Sequence, residues 1–328
     1  MNITTFKRPS RRTILRSLAA LATANVLTAQ ADEEYPSRPI HIVVPYAPGG
    51  STDIIARLLA DKLGSVLKQA VVVENKPGAN GIVGTEWVAR AAPDGYTLLL
   101  PSGSVLALSP LLYKTNFDPV KSFAPVSLIA TFALLLVANA GMPATTIKEV
   151  IELTRSGKRT VSFATGTSGY SLMCENFKLL TGTPGIINVP YNGSGPQIQA
   201  VLGGQVDMMI DTLNSMPMVR AGKLRALGIF SEKRSPTLPD LPTLQEQGVD
   251  MASIGYGALL APAGTPATVV TRLQTEIAKI MALPDVREQF ARIDHEPVGS
   301  TPEQLAAAIA KDIARYRKMV SDTNFKLG

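Results

Sequence analysis

Three segments combine glycines with hydroxyl side chains at points where an apolar run ends and an amphipathic stretch begins. They are residues 46–53 (YAPGGSTD), 165–171 (TGTSGYS) and 191–196 (YNGSGP). Two glycines in each allow a ligand to approach the backbone closely, and the amide groups at a helix start are free to donate hydrogen bonds. A helix N-terminus also carries about half a positive charge, so it binds carboxylate or phosphate without a basic side chain. The three segments are therefore candidate anion-binding turns.

The same residues also have an ordinary structural explanation. Gly, Ser, Thr and Asp begin many helices, and Asp53 could simply cap the helix that follows it. What favours binding is the shared position of the three turns, because α/β sheets bind ligands at the carboxyl ends of their strands. None of the turns has the G-x-G-x-x-G spacing of a dinucleotide site or the Gly-Lys-Ser/Thr of a phosphate loop.

The elements around these turns predict an α/β protein. Apolar runs typical of strands, beginning at 40–45, alternate with stretches of helical periodicity such as 54–67. The pattern restarts after an apolar run at 132–138, and the strands are too many for one sheet of ordinary width. We therefore predict two lobes, one formed by residues 32–134 plus 253–328 and the other by 135–252.

The first 31 residues have the composition of an export signal. Basic residues surround Arg11 and Arg12 in a pattern close to the twin-arginine motif, and an Ala- and Leu-rich stretch follows. Cleavage is predicted after about Ala31, which gives a periplasmic protein. A mitochondrial presequence and an amphipathic helix are the alternatives, and the choice between the Tat and Sec routes stays open.

The charge of the rest of the chain is close to balanced: without the leader's five basic residues there are 27 basic and 26 acidic residues. A chain so close to neutral predicts no nucleic-acid partner.

The sequence offers little support for catalysis or metal binding. Cys174 is the only cysteine, which excludes an intramolecular disulfide and a thiolate metal cluster. The two histidines, His41 and His295, lie far apart, and neither occurs in a motif that would place it beside Ser168, the best candidate nucleophile. We predict no catalytic residue, no metal site and no cofactor, with a secreted hydrolase as the alternative.

The turns and their neighbours match a known family along nearly the whole chain after the leader. The matching stretches are 45–53 (PYAPGGSTD), 74–81 (ENKPGANG), 93–99 (PDGYTLL), 189–193 (VPYNG), 203–207 (GGQVD), 221–227 (AGKLRAL), 241–244 (LPTL) and 261–266 (APAGTP). With them the sequence resembles the Bug-type, TctC-like substrate-binding proteins of tripartite tricarboxylate transporters.

The resemblance implies a type II-like periplasmic-binding-protein fold, in which two α/β lobes enclose a ligand cleft. It also implies a carboxylate ligand held by backbone and hydroxyl groups of the first two turns, delivery to the membrane permease subunits of a transporter, and a monomeric protein. The residues that would hold the ligand are Tyr46, Ala47, Gly50, Ser51, Thr52, Asp53, Thr167 and Ser168, with Asp211 at the distal end.

Two questions stay open within this reading. The family usually opens the helix after the second turn with His-Leu, whereas this sequence has Ser171-Leu172 preceded by the bulky Tyr170, so an altered pocket is expected there. A membrane sensor kinase could receive the same liganded protein instead of a permease, and no residue distinguishes these two outputs.

Overall fold

The computed structural model describes residues 35–191, 193–235, 237–293 and 295–326. The predicted leader, 1–31, and Asn192 of the third turn lie outside the described residues. The chain divides into two units, Met1–Ser37 and Arg38–Gly328, and every element below belongs to the second.

Ten strands form a single hydrogen-bonded network. They are β1 (Ile40–Val44), β2 (Val71–Asn75), β3 (Thr97–Leu99), β4 (Phe123–Asn139), β5 (Ser162–Thr165), β6 (Ile187–Pro190), β7 (Met208–Thr212), β8 (Leu224–Ile229), β9 (Ile254–Pro262) and β10 (His295–Pro297). The strand order is β2-β1-β3-β9-β4-β7-β5-β6, with β8 and β10 paired to β4 off this path. β1 is parallel to β2 and β3, and β5 is parallel to β6 and β7, whereas β4 is antiparallel to all its partners.

The 17-residue strand β4 changes partners along its length. Phe123–Ala133 pairs with β9, and Leu134–Asn139 pairs with β7 and β8. We call β1, β2, β3, β9 and β10 with Phe123–Ala133 the first strand group, and β5 to β8 with Leu134–Asn139 the second strand group. The predicted lobe boundaries at 134/135 and 252/253 fall beside this change of partners and remain a prediction.

Helices connect the strands and cover them. They are α1 (Ser51–Leu67), α2 (Ile82–Ala89), α3 (Gly103–Ala107), α4 (Ser109–Leu112), α5 (Ile147–Arg155), α6 (Ser168–Thr181), α7 (Ser194–Leu202), α8 (Met216–Arg220), α9 (Ala267–Ala282), α10 (Pro284–Arg292) and α11 (Pro302–Thr323). Each strand group has its own apolar cluster: Val43, Leu99 and Leu260 contribute to the first, and Leu135 and Met209 to the second.

The apolar run at 132–138 lies within β4 and is mostly buried, which confirms a strand there. Within the described ranges, no helix has both the length and the apolar character needed to cross a membrane.

The helices after the three turns begin at Ser51, Ser168 and Ser194, two or three residues before the starts that the sequence pattern predicts at 54, 171 and 196. The apolar periodicity that predicted them starts only after these polar first turns. The earlier start corrects one expectation: Asp53 lies inside the first turn of α1, whose N-cap is Gly50, and so does not cap that helix. The short helix α10 and strand β10 were not predicted.

Candidate ligand-binding site

The three predicted turns meet in one cleft of about 880 Å³. The cleft takes lining residues from both strand groups and lies where β1, β5 and β6 end and the following helices begin. Seven of the predicted ligand-binding residues line it: Tyr46, Ala47, Gly50, Ser51, Thr52, Thr167 and Ser168. Asp53 and Asp211 are not among the lining residues.

The first turn presents bare backbone to the cleft. Gly50 has extended backbone and, as the N-cap of α1, supplies no side-chain acceptor to the amides of the first turn. Gly49 has φ +90°, a conformation that favours glycine, and a Cβ on Gly49 or Gly50 would meet no atom within 4 Å. The hydroxyl oxygen of Ser51 is buried without a hydrogen-bond partner among the described residues. This turn therefore has hydrogen-bond donors available for an anion.

Asp53 supports the first turn from behind. Its carboxylate accepts hydrogen bonds from the Gly49 amide at 2.9 Å, from Nε and Nη2 of Arg57 at 3.0 Å each, and from Asn75 Nδ2 at 3.0 Å. Asn75 Nδ2 also lies 3.0 Å from the carbonyl oxygen of Tyr46. Burial by itself would raise the pKa of Asp53, but the hydrogen bonds from Arg57, Gly49 and Asn75 outweigh it and hold the pKa below its usual value. Asp53 thus positions the turn without facing the cleft.

The second turn is capped by a side chain. The Thr167 hydroxyl accepts a hydrogen bond from the Tyr170 amide at 3.3 Å and so acts as the N-cap of α6. Tyr170 lines the cleft. Ser171 does not line the cleft: its hydroxyl lies 2.8 Å from Thr165 Oγ1 inside the protein. The altered pocket expected here stays a prediction, and of these two residues Tyr170 is the one that lines the cleft.

The second and third turns are packed directly against each other. A Cβ on Gly166 would lie 2.8 Å from the Gly193 carbonyl carbon and 2.9 Å from Gln197 Oε1. Only glycine allows this approach, and Gly193, with φ +96°, begins the turn into α7. The described part of the third turn, from Gly193 to Pro196, lines the cleft.

Several lining residues were not predicted. The turn after β3 contributes Ser102 and Ser104, whose hydroxyl oxygens are 2.9 Å apart, and Ser102 Oγ lies 2.6 Å from the Tyr46 hydroxyl. Tyr256 on β9 and Tyr316 on α11 also reach the cleft. Burial raises the pKa of all the buried phenols in this wall, so they remain neutral hydrogen-bonding groups.

The described wall of the cleft contains no lysine, arginine or histidine. Its one carboxylate belongs to Asp312, which accepts hydrogen bonds from Arg315 Nε and Nη2 at 3.2 and 2.9 Å. Arg315 also donates to Ser253 Oγ at 2.9 Å, so its guanidinium is occupied by protein groups. An anion in this cleft would be held by amides and hydroxyl groups.

Asp211 lies behind the wall near the end of β7. Its side chain is fully buried, and its neighbour in sequence, Thr212, lines the cleft. Neither carboxylate oxygen has a hydrogen-bond partner of normal geometry among the described residues. Burial raises the pKa of Asp211 to about 7, and the nearby Thr212 amide and Ser215 offset only part of that effect. The predicted direct contact with the ligand's distal end stays a prediction.

The two histidines considered for catalysis lie outside the cleft wall. His41 Nδ1 is 2.5 Å from Glu74 Oε1, and the ring of His295 stacks on Phe132 with centroids 4.8 Å apart. Neither histidine lines the cleft with Ser168. Cys174 is buried in α6, and no group of three His, Cys, Asp or Glu residues in the described ranges is arranged to hold a metal ion.

Known proteins are similar to this chain in both fold and sequence. The family model described as "Tripartite tricarboxylate transporter family receptor" matches residues 55–325. Protein BugT of Bordetella pertussis is 37% identical over 314 residues, which cover 94% of this chain and 96% of that protein. Two solved structures are each 32% identical: Rpa4515 of R. palustris, solved with adipate, and MatC of Rhodopseudomonas palustris, solved with bound malate. Their TM-scores are 0.83 and 0.79, over 89% and 87% of this chain and 99% and 100% of theirs.

The fold and the cleft define a periplasmic binding protein, in which two α/β lobes enclose a ligand site, as the sequence implied. The chain belongs to the tripartite tricarboxylate transporter family of receptors. It is therefore a solute-binding protein of a tripartite transporter and not an enzyme, since the family consists of substrate-binding receptors.

Proposed function

We propose that this receptor captures a small organic carboxylate in the cleft and delivers it to the membrane permease subunits of its transporter. The observation that carries the proposal is the meeting of three helix-starting turns around one cleft whose described wall holds no cationic side chain. Similar receptors solved with adipate and with malate support the choice of a carboxylate.

In this proposal the ligand carboxylate lies against the first turn. It accepts hydrogen bonds from the amides that begin α1 and from the hydroxyl of Ser51, which has no partner among the described residues. Thr167 and Ser168 approach it from the second strand group. Hydrogen bonds to a charged group contribute about 1.5–3 kcal/mol each, so two or three support micromolar binding after ordering costs. Contacts from both lobes favour the closed state over the open one.

The protein acts in the periplasm in this proposal, after export and cleavage near Ala31, and it acts as a monomer with the lobe boundaries given above. The family consists of periplasmic receptors, and the small residues at 29 and 31, followed by acids at 32–34, support this cleavage site.

A thermal-shift screen of the purified protein against small carboxylates and their amides tests the proposal. A ligand at about 100 times its Kd adds about 2.7 kcal/mol, or roughly 2–4 °C for a protein of this size. A shift with an acid but not with its amide supports the anion site. A folded sample that responds to no carboxylate would refute the choice of ligand class.

A substitution tests whether the carboxylate binds in the cleft. Gly50→Pro removes the backbone amide of the α1 N-cap, and proline at this position is compatible with the observed φ of −80°. We expect weaker carboxylate binding with little change in melting temperature. Gly195→Ala, where a Cβ would meet nothing within 4 Å, is the control for added bulk at the cleft wall.

A further inference from the structure

The two strand groups touch each other directly at the start of α6. Gly169, in the first turn of that helix, is buried, and a Cβ placed on it would lie 3.4 Å from the Cβ of Ser104 and 3.9 Å from its hydroxyl oxygen. Ser104 lies in α3, whose residues Val105 and Leu106 belong to the first apolar cluster, whereas α6 follows β5 of the second strand group. The backbone of one group therefore rests against a side chain of the other.

The surface that receives the start of α6 is held in place by the first strand group. Ser104 Oγ lies 2.9 Å from Ser102 Oγ, which in turn lies 2.6 Å from the Tyr46 hydroxyl. Gly103, between the two serines, packs on the ring of Tyr256, because a Cβ there would lie 2.6 Å from the Tyr256 hydroxyl oxygen. Hydrogen bonds on one side and a ring on the other thus fix the receiving surface.

A second contact between the groups joins two helices. α6 packs against α11, and α11 contributes Ile309 to the first apolar cluster. The phenol of Tyr170 on α6 interacts electrostatically with the phenols of Tyr316 on α11 and Tyr46 on the first turn. All three tyrosines line the cleft. The contact at Gly169 therefore continues along α6 towards the C-terminal helix.

These contacts have the composition of an interface that can separate. Among the described residues, the first apolar cluster contains none from α6, and the second contains none from α3 or α11. The groups that meet are a glycine, a serine hydroxyl and phenols, and Ser104 and Tyr170 are only half-buried. Domains joined by an interface that is neither large nor apolar are expected to move relative to each other. Opening would leave both apolar clusters intact.

We propose that this contact, which we call the seam (Gly169 and Tyr170 against Ser104 and Tyr316), closes the cleft without help from a ligand and separates to admit one. The protein alone is then in equilibrium between an open and a closed state, and a ligand shifts an equilibrium that the seam already favours. Because a ligand enters through the open fraction, the seam also slows association. The inference goes beyond the proposed function, since the equilibrium exists whatever the ligand is.

A pair of cysteines can trap the closed state. In Ser104→Cys combined with Gly169→Cys, the two Cβ positions would be 3.4 Å apart, close to the separation of about 3.5–4.5 Å in natural disulfides. We expect mild oxidation of the protein without ligand to cross-link the pair, so that the thiols counted under denaturing conditions fall to that of Cys174 alone. Ser104→Cys with Gly195→Cys is the control. Gly195 also lines the cleft from the second strand group, but a Cβ there meets nothing within 4 Å, so this pair should stay reduced.

The rate of cross-linking measures how much of the protein is closed at rest. A carboxylate from the thermal-shift screen should accelerate the reaction by less than about tenfold, because a closed fraction of at least about one tenth allows no larger increase. The cross-linked protein should neither take up nor release that carboxylate, and reduction with dithiothreitol should restore binding. Only these two ligand measurements rest on the proposed function.

A larger side chain in the seam should open the protein. Gly169→Leu adds three carbons beyond a Cβ that already reaches 3.4 Å from Ser104. Measured without ligand by small-angle X-ray scattering, its radius of gyration should exceed that of wild type, whereas Gly195→Leu should match wild type. Circular dichroism shows whether both variants are folded; if Gly169→Leu is not, Gly169→Val makes the same test with a smaller side chain.

Two results would overturn the inference. If the cysteine pair cross-links only when a ligand is present, and the radius of gyration does not change in Gly169→Leu, the protein is open at rest. If the cross-linked protein binds a carboxylate as fast as the reduced protein does, the contact is permanent and does not open. A protein that cross-links without ligand but responds to no carboxylate would refute the proposed function and leave closure by the seam standing.

Discussion

Replacing Asp53 with alanine should destabilise the protein by about 2–4 kcal/mol. Two of the lost hydrogen bonds come from the Gly49 amide and Asn75, which are part-buried and would lose an acceptor. Arg57 is 53% exposed, so water replaces the carboxylate there and the loss of its ion pair adds little. Affinity should fall by less than about tenfold, because Asp53 holds the turn but does not line the cleft.

The assay is urea unfolding followed by circular dichroism, with ligand titration on the same samples. Because the folded pKa of Asp53 lies below its unfolded value, its stabilisation is present above the unfolded pKa and disappears as the pH falls through the folded one. The difference between wild type and Asp53→Ala should therefore shrink below about pH 4. Asp61→Ala, at an exposed acid on the same helix, is the control. Unchanged stability with abolished binding would refute the reasoning, since it would make Asp53 a ligand contact.

Three further results are expected. Gly166→Ala should lower the free energy of unfolding by about 1–3 kcal/mol and weaken ligand binding, because its Cβ would collide with the third turn. Gly195→Ala is the control and should leave unfolding by urea unchanged, since its Cβ would meet no atom. Burial raises the pKa of Asp211 to about 7, so the free energy of unfolding should fall as the pH rises between roughly 4 and 7. Asp211→Asn should therefore be more stable than wild type at pH 8 but not at pH 4. An equal difference in stability at both pH values would contradict the burial argument. Trp87 is the only tryptophan, and Lys76 Nζ lies 4.3 Å from its ring centroid, beside the loop at 77–81 that lines the cleft. Its fluorescence should therefore change when a ligand binds. A ligand that binds by calorimetry but leaves the emission unchanged would show that this loop does not move.

The sequence predicted the cleft well where the signal was local. A glycine-hydroxyl turn after an apolar run needs only its own residues to present helix-start amides, so Gly50, Ser51 and Ser168 were found without knowledge of tertiary contacts. The turn at Ser102 and Ser104 has the same design after β3 and could have been included on the same grounds.

Features that depend on distant residues were not predictable in this way. Asn75 follows Asp53 by 22 residues, and only the pairing of β1 with β2 brings it beside that carboxylate. Tyr256 and Tyr316 come from the last third of the chain and carry no pattern that distinguishes a cleft residue from a core residue. Their place in the site follows from the return of β9 and α11 to the first strand group.

The length of β4 was missed for a physical reason. The predicted strand covered only 132–138, whereas β4 begins at Phe123 and includes Pro125, a residue that is unfavourable within a strand. In the structure the register between β4 and β9 shifts between Pro125 and Ser127, so the proline lies at an irregularity that tolerates it. The longer strand then crosses from one strand group to the other, which is how a single element reaches both sides of the cleft.

A cleft whose described wall holds no cationic side chain suits a receptor that must give up its ligand. An ion pair buried with the ligand would have to be separated and both charges rehydrated at release, whereas amides and hydroxyls exchange a carboxylate for water at lower cost. Neutral donors also recognise carboxylates in general, because every carboxylate offers the same two oxygens. Selectivity must then arise from groups that face the rest of the ligand.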